Sequence, residues 1–140
     1  MDTLLVACFC LVIAVVDLKT YRIPDILLIA FVLAMVILEG SQPLAVVVTR
    51  LATALGVFLL FFAVWYFSGG MGLGDVKYAA VLGYLLGFDK IFQALVFTAF
   101  LSIAIYIVGI LLFHWSKTTK IPFAPFLSAG AIVSVMGNIL

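Results

Sequence analysis

Six apolar runs follow one another along the chain, at 3–16, 26–38, 51–67 (or 44–67), 78–88, 91–113 and 121–140. Short polar, glycine-bearing or proline-bearing breaks separate them. Each run reads as a transmembrane helix, so the expected fold is all-α: a polytopic membrane protein of about six transmembrane helices. A single domain, 1–140, is expected, without a linker or low-complexity segment. Three runs are short, with 14, 13 and 11 residues for 3–16, 26–38 and 78–88. At 1.5 Å per residue they cover roughly 16–21 Å of a ~30 Å hydrocarbon core. A spanning helix must then recruit its flanks. Helix 1 takes in Asp17, and helix 4 takes in Asp75, Val76 and Lys77; otherwise the bilayer thins locally. Either way, Asp17 and Asp75 fall at or just inside the membrane boundary.

Composition agrees with this pattern and removes its competitors. The 140 residues are 68% hydrophobic and 9% charged, where a soluble domain carries about 25% charge. A soluble domain of this size cannot hide so much apolar surface, and a disordered tail needs more charge. Seven Lys/Arg against six Asp/Glu give a net charge of +1. Cations so few and scattered make no basic face, so no nucleic-acid partner is expected. The partner on all sides is the lipid bilayer. Cys8 and Cys10 lie two apart on one helix and do not face each other. No Cys/His set has zinc spacing, so neither a disulfide nor a structural metal is expected. Leu5-Val6-Ala7-Cys8 superficially resembles a lipoprotein cleavage site, but Met1-Asp2 and the short run before the cysteine do not make a signal peptide.

The loops suggest an orientation. With both termini outside, the inner segments are 17–25, 68–77 and 114–121. They carry Lys19, Arg22, Lys77, Lys117 and Lys120, whereas the outer side has Arg50 and Lys90. That distribution satisfies the positive-inside rule. Arg50 is expected to snorkel to the outer interface. Lys19-Thr20-Tyr21-Arg22-Ile23-Pro24 echoes Lys117-Thr118-Thr119-Lys120-Ile121-Pro122. Both precede a helix entering from the inner side, where proline suits the first turn. The flanks do not match, so the echo is shared juxtamembrane logic and not a duplication.

Ionisable groups at membrane depth are costly and mark function, which singles out Asp17 and Asp75. Two carboxylates that share a site titrate as a coupled pair. One ionised and one protonated carboxyl can activate water and protonate a leaving amine. The spacing alone leaves open whether the two meet or each faces water separately. Next to Asp75 lies Gly69-Gly70-Met71-Gly72-Leu73-Gly74. Its backbone can adopt positive φ and be approached closely, so an extended peptide could lie beside it through main-chain hydrogen bonds. A plain reading is a flexible turn, with Gly70 and Gly74 as a packing pair. The Gly-Lys-Ser/Thr of a phosphate loop is absent.

Three segments together resemble the type IV prepilin peptidases, membrane aspartic peptidases of the GxGD type. They are Asp17 followed by Arg22-Ile23-Pro24, then Gly70-Met71-Gly72-Leu73-Gly74-Asp75-Val76-Lys77, and then Ile121-Pro122-Phe123-Ala124-Pro125-Phe126-Leu127. They occur in the family's order and span residues 17 to 127. The resemblance implies that Asp17 and Asp75 are catalytic; Gly72, Gly74 and Lys77 are read from the segment beside Asp75 as candidates for a substrate-binding loop. It implies no metal and no other cofactor. The implied substrate is a prepilin or pseudopilin, cut on the cytoplasmic side of a bacterial inner membrane, in the setting of pilus or secretion assembly machinery. The long members carry a further cytoplasmic segment with paired Cys-x-x-Cys motifs and also N-methylate the new terminus. The 17–25 loop has no room for it, so cleavage without methylation is expected, as in the short peptidases of Flp/Tad-type systems.

Asp25 stands where many members have asparagine, and either caps helix 2 through its dipole or competes with Asp17. Lys77, two past Asp75, points elsewhere on a helix; it snorkels to the inner interface or tunes the aspartate through space. His114 and Trp115 read as an interfacial end to helix 5. Gly83 and Gly87 read as a small-residue pair that brings helix 4 close to a neighbour, and Pro122 and Pro125 as the start of helix 6. The rival functions are a small ion-coupled transporter or channel subunit using Asp17 and Asp75, a GxGD peptidase for other membrane substrates, and an inactive scaffold.

Overall fold

The computed structural model describes residues 3–116 and 121–137. Among these the chain forms five helices: α1 Thr3–Thr20, α2 Asp25–Glu39, α3 Leu44–Ser68, α4 Leu73–Phe113 and α5 Ala124–Met136. Lys117, Lys120, Met1, Asp2 and the last three positions of the expected sixth helix lie outside the described residues, as does the 117–120 part of the echo. The flanks are recruited as the short runs require. α1 continues through Asp17 to Thr20, and α4 starts at Leu73, ahead of Asp75. Prolines and glycines set the other ends. Pro24 and Pro43 stand at the N-caps of α2 and α3, and Gly40 and Gly69 end those helices at φ 65° and 61°.

Six helices are expected and five are described, because the two runs 78–88 and 91–113 join across a kink in one 41-residue element, α4. Asp89 and Lys90 interrupt the apolar run without interrupting the helix. The break lies just before them, at Gly87, with φ 73° and ψ 175°, a conformation that glycine adopts at little steric cost. A straight helix of that length would measure about 61 Å. Instead, both halves return to the same turn of α5. The Tyr78 hydroxyl lies 2.7 Å from that of Ser128, and the Thr98 hydroxyl lies 3.2 Å from the Phe126 carbonyl oxygen. Residues 78 and 98 would be about 30 Å apart on a straight helix. So α4 folds back at Gly87 into two arms, 73–86 and 88–113. Three helices are long and apolar enough to cross a membrane: Thr3–Thr20, Leu44–Ser68 and Leu73–Phe113.

Small residues set the spacing between helices. A Cβ on Gly83 would come within 3.2 Å of Val57 and 3.3 Å of Ala54, so α3 packs closely there, as expected. Gly87 is not its packing partner, because nothing lies within 4 Å of a Cβ built on it. Gly130 of α5 rests directly on the Ala94 carbonyl and the Thr98 hydroxyl of the second arm. Fully buried Ile13, Phe31, Tyr78, Leu82 and Leu127 fill the interior, while many leucines, isoleucines and phenylalanines face outward, as a lipid solvent allows. α2 is the most loosely held element: it packs along α4 and meets α1 through the Phe9–Phe31 ring stack at 4.7 Å. At its far end Glu39 pairs with Arg50. The carboxylate gives Arg50 a partner at that end of the bundle.

Candidate functional site

Asp17 occupies the last turn of α1 and is 4% exposed. Thr20 ends the helix, Tyr21 turns the chain at φ 51°, and Ile23 is buried. Asp75 occupies the first turn of α4. Its backbone N–H donates to the Gly72 carbonyl at 3.1 Å, and its Oδ2 accepts from the Gly72 N–H at 3.4 Å. The two segments meet because Gly74 has no side chain. A Cβ there would lie 3.2 Å from Ile23 Cβ and 3.4 Å from Ile23 N. Gly74 thus packs as expected, but against Ile23 and not with Gly70, which has only the Ser68 carbonyl at 4.0 Å.

This contact brings Asp17 and Asp75 to one cavity of about 380 Å³, lined also by Arg22, Asp25, Gly72 and Lys77. α5 adds a group that the sequence did not announce. The Ala124 backbone N–H, at the start of that helix, donates to Asp17 Oδ2 at 3.3 Å. Asp75 therefore sits at the N-terminus of its own helix, and Asp17, at the end of α1, faces the N-terminus of α5, whose N–H groups have no partner within the helix. Asp75 Oδ1 differs: it is buried with no hydrogen-bond partner among the described residues. An unsatisfied buried oxygen is expensive, and such exceptions in native structures point to function.

The remaining predicted residues divide clearly. Lys77 turns to Asp25, and its Nζ donates to both Asp25 oxygens at 2.9 Å. Asp25 begins α2, as expected of a residue favoured by the dipole. With a side chain 62% exposed and bound to Lys77, it sits in a wetter setting than Asp17. His114 takes φ 52° at the end of α4, and Trp115 folds back onto Gly109; neither lines the cavity. Cys8 and Cys10 are both free thiols. Among the described residues no three His, Cys, Asp or Glu side chains gather as a metal-holding cluster.

Sequence reasoning also passed over Tyr78 and Ser128. Tyr78 lies one turn beyond Asp75 and is fully buried, and Ser128 lies one turn beyond Ala124. Their hydroxyl contact fastens the Asp75 helix to the helix that holds Asp17. The available signal was helical spacing, since each polar residue sits i+3 or i+4 from a site position. Tyr78→Phe and Ser128→Ala are each expected to cost about 1 kcal/mol, with a double mutant less destabilised than the sum. Unfolding in detergent checks this, and strictly additive losses would rule the link out.

Comparison with known proteins gives a family match for most of the chain. The profile of the type IV leader peptidase family matches residues 4–111, a stretch holding both aspartates and the glycine loop. The chain is 28% identical over 127 residues to the prepilin leader peptidase/N-methyltransferase of Bacillus subtilis (strain 168), covering 90% of this chain and 51% of that protein. It is 26% identical to the protein of the same description from Pectobacterium carotovorum subsp. carotovorum, covering 96% of this chain and 50% of that one. The chain thus spans about half the length of these curated relatives. No solved structure matches. With most of its length matched by the family profile, the chain belongs to the type IV leader peptidase family.

Proposed function

We propose that the protein is a membrane-embedded aspartic endopeptidase that removes the leader of Flp-like prepilins at the cytoplasmic face. The observation that carries this reading is the placement of Asp17 and Asp75 on one cavity. The pair shares one proton. As water attacks the scissile carbonyl, the ionised carboxylate takes a proton from it and the protonated partner donates to the carbonyl oxygen. When the tetrahedral intermediate collapses, the C–N bond breaks and a proton passes to the leaving amine. The unpartnered Asp75 Oδ1 is an oxygen free to receive a hydrogen bond from water or substrate. The glycine segment 69–74 offers main-chain groups to an extended leader.

The six helical arms, α4 counting as two, are read as spanning the bilayer with the cavity on the inner side. The transporter reading is disfavoured because it needs carboxylates reachable from both faces, and these two occupy helix ends beside one cavity. We further infer that the enzyme leaves the new N-terminus unmethylated, because only residues 21–24 join α1 to α2. The test is incubation of the purified protein in detergent with an Flp-like prepilin, followed by mass spectrometry. Two fragments are expected, and the mature terminus keeps its mass when a methyl donor is added. An intact prepilin would overturn the peptidase reading, and a gain of about 14 Da would overturn the second claim.

A further inference from the structure

The cavity does not end at the ion pair of Asp25 and Lys77. An apolar groove of about 390 Å³ continues from that pair between α2 and the first arm of α4, and both charged residues line cavity and groove alike. Below the pair the walls are apolar. Asp25, Leu28, Ile29, Val32 and Leu33 of α2 recur at helical spacing and so form one stripe, and Val81 follows Lys77 by one turn on α4. Leu28 is the buried floor, at 4% exposure, while Ile29 and Leu33 stand as walls at 57% and 55%. From residue 25 to 33 the stripe runs about 12 Å, somewhat over two turns of a docked helix. Two other apolar hollows, around Phe88 and Phe92 and around Tyr106 and Phe123, share no residue with the cavity.

We propose that this groove is the docking site for the apolar helix of the substrate, whose scissile segment crosses the Asp25–Lys77 pair to reach Asp17 and Asp75. The proposal rests on the peptidase reading. Its occupant follows from the chemistry of the two compartments. A chain that fits both must be apolar and helical at membrane depth and extended and polar at its head, which describes a prepilin at its leader junction. A lipid acyl chain satisfies the groove alone. The pair at the threshold is a solvent-exposed one, worth about 0–1 kcal/mol, so an incoming peptide displaces it easily. Asp25 and Lys77 are then both released to groups of the incoming peptide. The loose seating of α2 lets the walls adjust around a helix.

Site-specific cross-linking tests the groove without relying on activity. In a Cys8→Ser background, Ile29→Cys and Leu33→Cys place thiols on the exposed wall. Ile103→Cys places one in the hollow beside Tyr106. An Flp-like prepilin carrying a single cysteine two turns into its apolar helix is added in proteoliposomes under mild oxidation. Several-fold more disulfide adduct is expected from both α2 positions than from Ile103→Cys. Equal adduct at all positions, adduct from Ile103→Cys alone, or none while the Cys8→Ser enzyme cuts the same prepilin would overturn the groove. Adduct at α2 with no cleavage would uphold the groove and overturn the peptidase reading instead.

Discussion

Asp17→Asn and Asp75→Asn are each expected to lower the rate of leader cleavage by about 10³-fold or more, the scale of a lost general acid or base. That corresponds to about 4 kcal/mol of transition-state stabilisation. The substitution is nearly isosteric. An asparagine oxygen can still accept from the Ala124 N–H at position 17, or from the Gly72 N–H at position 75. Helix packing and melting temperature should therefore be kept while proton exchange is lost. The control is Asp89→Asn, beside the Gly87 bend and away from the cavity, which should cut at the parent rate. Rates come from mass spectrometric time courses on detergent-purified protein. Cleavage within tenfold of the parent in either mutant would dismiss the shared-proton mechanism.

The largest stability effect is expected at Gly130. Any Cβ there collides with the Ala94 carbonyl oxygen and the Thr98 hydroxyl. The first of these is backbone and cannot rotate aside, so Gly130→Ala must push α5 off the second arm of α4. Overpacking of this kind costs about 1–3 kcal/mol, and the upper end is expected here. Displacing α5 also draws the Ala124 N–H away from Asp17, so activity should fall together with stability. Adding Thr98→Ala removes one obstacle and leaves the carbonyl, so rescue should be partial. Gly83→Ala meets the Val57 side chain at 3.2 Å and should cost less. Unfolding in detergent ranks the three, and Gly130→Ala as mild as Gly83→Ala would refute the tight α4–α5 contact.

Much of the site is legible in the sequence because so few charges are available to choose from. Three apolar runs too short to span alone placed Asp17 and Asp75 at the membrane edge, and α1 and α4 extend over them as that argument requires. The spacing of Lys77 from Asp75 sets the two on different sides of α4. It did not give the partner of Lys77, since Asp25 is 52 positions away. The reversal between the runs 78–88 and 91–113 is legible in the sequence, but its place is not: one glycine decides it, and Gly87 carries no mark that separates a bend from a packing contact. Polar Asp89 and Lys90 drew the boundary to themselves, although neither stops a helix. The Ala124 N–H escaped because a backbone donor has no side-chain signature. Only its position, at the start of a proline-bearing first turn, distinguishes it.

The hydrogen bond between Ala124 and Asp17 joins groups 107 residues apart, and this bears on biogenesis. A chain inserted from its N-terminus delivers the Asp17 carboxylate to the bilayer edge with the first helix, long before α5 is made. Until then, that carboxylate has no α5 N–H to accept from and stays with water or lipid headgroups. Closing so long a loop carries an entropic cost that grows slowly with its length, and packing of Gly130 and Ser128 against α4 offsets it. The Ala124 N–H therefore reaches Asp17 only after α5 joins, and a partly inserted chain holds that aspartate without its α5 donor.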